Sequence, residues 1–210
     1  MVKKINDLIV LVADKNMAAV VFRVLTRWQS MRIRETTSKI YVHPYRDAGV
    51  LSGAHEFLRP FLNHYSYAMV LFDREGCGDF QSREAIEKIV EEHLNNSGWS
   101  SRCAVIVLDP ELEIWVWSNS PHVAETLGWE QSELNLWLEK NSFRPSVSQK
   151  PERPKEAMEL ALREKKIPRS SAIYAEIALK VSIERCSDNG FLKFKRILQQ
   201  WFPLLQKENL

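Results

Sequence analysis

Five carboxylates stand just beyond two apolar runs, and their spacing is the feature of this sequence that could do chemistry. The first run ends Met69-Val70-Leu71-Phe72-Asp73-Arg74-Glu75-Gly76-Cys77-Gly78. The second is Ala104-Val105-Ile106-Val107-Leu108-Asp109-Pro110-Glu111-Leu112-Glu113. Asp73 and Glu75 are two residues apart, as are Asp109, Glu111 and Glu113, so each set shares a face if the backbone stays extended. Carboxylates gathered at one spot repel unless a cation or a proton joins them. Hard oxygen donors of this kind suit Mg²⁺ or Mn²⁺. The competing reading is plain: acids at strand ends also serve as loop polarity and as helix caps.

The elements that must position these acids follow from the hydrophobic pattern. A run apolar on both faces belongs inside a parallel sheet, whose strand ends form the ligand crevice of open α/β folds. Buried strands are expected at residues 8–13, 39–43, 67–72 and 103–108. Between them, Met17, Val20, Val21, Val24, Leu25 and Trp28 recur at helical spacing, with Asp14 placed to cap that helix. Arg46-Asp47-Ala48-Gly49 reads as a turn before a helix from about Gly53 to Tyr65. Ser82, Ala85, Ile86, Ile89, Val90 and Leu94 mark the next helix. This alternation predicts an α/β fold with a mainly parallel four-stranded sheet and crossover helices. After Glu113, short helices are expected around Val116–Leu138, and Arg144 to Pro154, with three prolines, reads as a linker or surface loop. Helices over Lys155–Lys165, Ser170–Cys186 and Phe191–Leu205 would finish the chain, packed on the sheet through Tyr174, Ile177, Val181, Phe191, Phe194 and Leu198.

The chain has 210 residues, 45% of them hydrophobic and 27% charged, enough for a full core and unlike a disordered sequence. No apolar run approaches the roughly 18 residues that span a bilayer, so no membrane partner is expected. Ile9–Val12 is too short for a secretory segment. Cys77, Cys103 and Cys186 lack the spacing of a disulfide framework or a zinc site, which points to a cytoplasmic setting. The net charge of +2 hides an asymmetry. Residues 1–149 carry 16 Lys/Arg against 19 Asp/Glu, and residues 150–210 carry 13 against 8. A basic tail beside an acidic cleft would suit a polyanion, although a solvated helical surface has the same composition.

Other residue types give weaker signals. His43, His55, His64, His93 and His122 show neither metal-ligand spacing nor a shared helix face, and no nucleophile–base–orienter set can be assembled. Cys77, beside carboxylates, lacks the positive surroundings that would make its thiol reactive. The seven tryptophans, at helical spacing, read mainly as core, with base stacking by one or two an open alternative. Gly76-Cys77-Gly78 lacks the ending of a Walker loop. Lys150, Arg153, Lys155, Lys165, Lys166 and Arg169 could track phosphates.

The Phe72–Gly76 segment, followed by Glu111-Leu112-Glu113-Ile114-Trp115-Val116-Trp117, resembles Toprim-like bacterial proteins related to the nuclease domain of overcoming-lysogenization-defect proteins. Lys150-Pro151, Pro154-Lys155-Glu156, Ser170-Ser171-Ala172-Ile173-Tyr174 and Phe191-Leu192-Lys193-Phe194 are similar to the helical tail of that group, so the resemblance runs through almost the whole chain. The text around Ala13-Asp14-Lys15-Asn16-Met17 is similar to an accessory component of the methylation-associated anti-phage defence system.

The resemblance implies a Toprim-like core over residues 1–143, a linker or surface loop over 144–154, and a helical part over 155–210. It also implies a Mg²⁺- or Mn²⁺-dependent nuclease acting on nucleic acid, DNA before RNA, alongside other defence-system proteins. Asp73, Glu75 and Glu113, with Glu111 and Asp109, would hold the metal. Lys150 or Lys155 would steady phosphate charge. The family's first-strand glutamate, its general acid/base, is replaced by Ala13, leaving Asp14 as the candidate. That departure supports an alternative: a non-catalytic Toprim-like scaffold or sensor that docks defence partners or binds nucleotide. Asp14 turned into a helix cap would favour the alternative.

Overall fold

β1 (Asn6–Val12) is the centre of the molecule because Leu8 to Val12 are all fully buried, which requires cover on both faces. In the computed structural model, which describes residues 5–118, 120–143 and 150–204, it pairs in parallel with β2 (Ser38–Val42) and β3 (Tyr65–Asp73). β3 pairs in parallel with β4 (Cys103–Leu108), giving the order β2-β1-β3-β4. The chain is therefore an α/β protein with a four-stranded parallel sheet, as the apolar runs predict, an arrangement consistent with a Toprim-like fold. The connection leaves β1 towards β2 and returns across β1 to β3. The reversal sets the carboxyl ends of β1 and β3 beside one another at the switch point where such sheets bind ligands.

Helix α1 (Lys15–Thr26) follows β1, and the short α2 (Trp28–Met31) leads to β2. α3 (Arg46–Leu58) and α4 (Arg83–Leu94) carry the chain into β3 and β4 and pack on each other. The expected start of α3 needs correction. Arg46-Asp47-Ala48-Gly49 is its first turn, and the helix ends at Leu58 rather than near Tyr65. Gly49 misled because its role is steric: a Cβ there would sit 2.5 Å from the His43 ring and from Tyr45 Cβ. Its small size lets the helix close on the end of β2.

Beyond β4 come α5 (Glu113–Val116), α6 (Pro121–Thr126) and α7 (Gln131–Lys140), then α8 (Pro154–Glu164), α9 (Ser171–Lys180) and α10 (Asn189–Trp201). Of the expected linker, residues 144–149 lie outside the described residues, as does the expected helix end at Leu205; Pro154 already belongs to α8. The C-terminal helices are part of the core. α9 packs along α1, and Tyr174, Ile177, Phe191, Phe194 and Leu198 are buried. Arg27 ties the end of α1 to the end of α9 by donating 2.8 Å hydrogen bonds to the carbonyls of Ala178 and Val181. Four of the tryptophans, Trp99, Trp115, Trp117 and Trp129, are buried, in line with their spacing.

α10 also closes the outer edge of β4. The Glu87 and Glu91 carboxylates accept from the Val107 and Val105 amides, each at 3.0 Å. Lys193 donates to the Val105 carbonyl at 2.8 Å and to both glutamates at 3.0 Å. Side chains thus occupy backbone groups that would otherwise be a template for another strand.

Candidate functional site

The carboxyl ends of β1 and β3 bring Asp14 and Asp73 into one neighbourhood, joined by Asp47 from the first turn of α3 and by Glu111 and Glu113 after β4. Asp47 belongs to this group because it accepts from the Asp73 amide at 2.8 Å. The sequence concealed it: the segment read as a turn, and Asp47 and Asp73 are 26 residues apart.

Asp73 lies at the centre. Its Oδ1 is buried and, among the described residues, has no hydrogen-bond partner. Burial, reinforced by repulsion from Asp47, Glu113, Asp14 and Glu111, pushes its carboxyl well above the usual range, so a proton or another cation is strongly favoured there. Burial also raises the Asp47 carboxyl, with a contribution from Asp14. The Cα of Gly76 has positive φ (93°), which a non-glycine residue rarely adopts, and this turn brings the loop after β3 against Asp47.

The other expected ligands are separated. The extended backbone required for alternate acids to share a face ends with the strands. Leu112 already has helical dihedrals and Glu113 opens α5, so Asp109, Glu111 and Glu113 point to different partners. Asp109 is exposed and pairs with Arg74 at 3.2 Å. Glu111, 5% exposed, accepts from the Lys155 amide at 3.0 Å and from its ammonium at 3.2 Å. Glu113, 1% exposed, accepts from Arg169 at 3.0 Å and, closer still, from the Tyr174 hydroxyl. Burial and Glu113 push the Tyr174 phenol up, and Arg169 opposes them. Glu75 is exposed in the turn beyond β3.

The basic residues also have intramolecular roles. Burial works against the Lys155 ammonium, but Glu111, Glu113 and Asp73 outweigh it and raise its pKa. Lys150 donates to the Ile114 carbonyl at 2.6 Å and lines a separate groove of about 460 Å³ with Asp109, Glu152 and Asp188. Sequence reasoning placed Arg169 only among residues that could track phosphate; its partnership with Glu113 spans 56 residues and had no local signal.

Asp14 is the N-cap of α1, its Oδ1 accepting from the Met17 amide at 2.8 Å. That hydrogen bond satisfies one of the donors left open at the helix start. The neighbouring Ala13 is buried.

The fit to Mg²⁺ or Mn²⁺ is correspondingly partial. Asp73 Oδ1 has the character of a cation ligand, but Glu111 and Glu113 are neutralised, Asp109 pairs with Arg74 and Glu75 is exposed. Among the described residues, no group of three or more His, Cys, Asp or Glu side chains is arranged to hold a metal ion. Nor is any helix among them long and apolar enough to cross a membrane. No family model, curated protein or solved structure matches this chain significantly.

Proposed function

We propose that this chain is a component of a bacterial anti-phage defence system that uses a Toprim-like fold as a docking or nucleotide-binding module and does not by itself cut phosphodiesters. The defence setting rests on the sequence resemblance. The non-catalytic reading rests on one observation: three of the acids that phosphodiester chemistry would draw on already have intramolecular partners. Asp14 caps α1, Glu111 is held by Lys155, and Glu113 by Arg169 and Tyr174. A general acid/base must reach the proton that it transfers, and a carboxylate held by its own helix amide is poorly placed for that.

A metal-dependent nuclease is the second reading, favoured by the unpartnered Oδ1 of Asp73 at the switch point of the sheet. One experiment separates the two. The purified protein is incubated with single- and double-stranded DNA and RNA in Mg²⁺ or Mn²⁺, alone and with candidate partner proteins. Phage protection is measured in parallel in strains carrying Asp73→Asn. The docking reading expects no turnover assignable to this chain and protection retained in the variant. Metal-dependent cleavage abolished by Asp73→Asn would overturn it in favour of the nuclease.

A further inference from the structure

On the side of the molecule where α3 and α4 pack together, two imidazoles meet away from the acidic cleft. His55 lies in the last turn of α3 and His93 in the last turn of α4, with ring centres 5.2 Å apart and planes inclined by 53°. They line a surface groove of about 320 Å³ with Arg59, Asn96 and Ser97. Neither ring has a hydrogen bond or ion pair among the described residues, so their contact with each other is the interaction that they make.

We infer that His55 and His93 form a surface site for a divalent transition-metal ion of the Zn²⁺, Ni²⁺ or Cu²⁺ class. The spacing is the first argument. With a metal–nitrogen bond of about 2.0–2.1 Å, and a nitrogen about 1.1–1.2 Å from its ring centre, two imidazoles on one tetrahedral ion have centres about 5.2 Å apart. Imidazole nitrogen is the donor these ions favour, whereas Mg²⁺ and Ca²⁺ favour oxygen. The location is the second. Both histidines lie in the last turn of their α-helices, the end of the helix dipole that favours a cation. The groove leaves room for water in the remaining coordination positions, and the Asn96 side chain lines it as a further oxygen donor. Arg59 is exposed, so its guanidinium can remain in solvent while an ion sits between the rings. Such an ion would clip the ends of α3 and α4 together.

The test is thermal denaturation of the full chain with ZnCl₂ or NiCl₂, each reversed by EDTA, and with MgCl₂ as the hard-ion control. At a metal concentration about ten times the dissociation constant, the melting temperature should rise by about 3–6 °C. His93→Ala, at an exposed position, and His55→Ala, at a half-buried one, should each largely keep the metal-free melting temperature and lose the rise. Asp73→Asn should keep it, which separates this site from the acidic cleft and from the proposed function. A rise that survives in both histidine variants, or is lost in Asp73→Asn, or is absent from the parent protein, would overturn the assignment.

Discussion

The clearest quantitative consequence of the site is that its buried ion pair should break asymmetrically. The Glu113 side chain is 2% exposed and that of Arg169 31% exposed. Replacing Arg169 by Leu leaves a carboxylate in a nearly dry setting with, among the described residues, the Tyr174 hydroxyl as its donor. Stranding one charge of a buried pair costs about 3–5 kcal/mol. Replacing Glu113 by Gln is different. The amide oxygen still accepts from Tyr174, and the stranded guanidinium is one-third exposed and keeps its contact with Glu159. That loss should be closer to the weight of one charge-assisted hydrogen bond, about 1.5–3 kcal/mol. For a chain of this length, about 2–4 °C of melting temperature accompanies each kcal/mol, so the two variants should differ by several degrees. Urea titration with a constant slope would give the two free energies, and the double variant Arg169→Leu/Glu113→Gln should recover part of the Arg169→Leu loss. If Glu113→Gln proves as costly as Arg169→Leu, or the double variant adds the two losses, the carboxylate is not the stranded partner and the reasoning fails.

Three further outcomes are expected. Asp73 holds its proton more tightly in the folded than in the unfolded chain, so its ionisation penalises folding. The penalty is absent below the ordinary carboxylate range and grows as pH rises from there through the raised folded pKa. Asp73→Asn should therefore be more stable than the parent at neutral pH, with the advantage shrinking on acidification; melting temperatures between pH 4 and 8 check this, and an advantage independent of pH would contradict it. Lys193→Met should cost about 2–4 kcal/mol by stranding the buried Glu87 and the Val105 carbonyl, and should promote self-association through β4, read by light scattering. Asp14→Asn should change stability by only a few tenths of a kcal/mol, whereas Asp14→Ala should cost about 0.5–2 kcal/mol, measured by urea denaturation; equal losses would mean that capping is not its main structural role.

The sheet was legible because its signal is local. Leu8–Val12 and Val105–Leu108 are continuous apolar runs, and continuity of that kind states burial on both faces without knowledge of neighbours. Helix α1 was equally plain in the spacing of Met17, Val20, Val21, Val24 and Leu25. The site was legible only in part. Its position at the strand ends followed from topology, but the aim of each carboxylate depends on groups far along the chain. Glu113 is held by Arg169 and Tyr174, which come 56 and 61 residues later, and Glu111 by Lys155, 44 residues later. His55 and His93 share no helix and meet only because α3 and α4 pack together. Gly49 marked a close approach rather than a chain reversal, and a steric demand of that kind is invisible until His43 is placed.

The placement of these partners bears on why the helical tail is built into the core. The basic excess of residues 150–210 reads in sequence as a surface for polyanions. Yet Lys155, Arg169 and Lys193 are spent inside the molecule, on Glu111, on Glu113 and on the glutamates that seal β4. Each of these cations offsets a carboxylate that the α/β core alone would leave buried and uncompensated, a cost that the core could not carry. The tail is thus an electrostatic counterpart to the sheet as well as an apolar cover for it. Asp73 is the exception: among the described residues its Oδ1 has no hydrogen-bond partner. Beside Glu111 and Glu113, which the tail compensates, Asp73 is a position at which a bound cation would change the free energy of this fold.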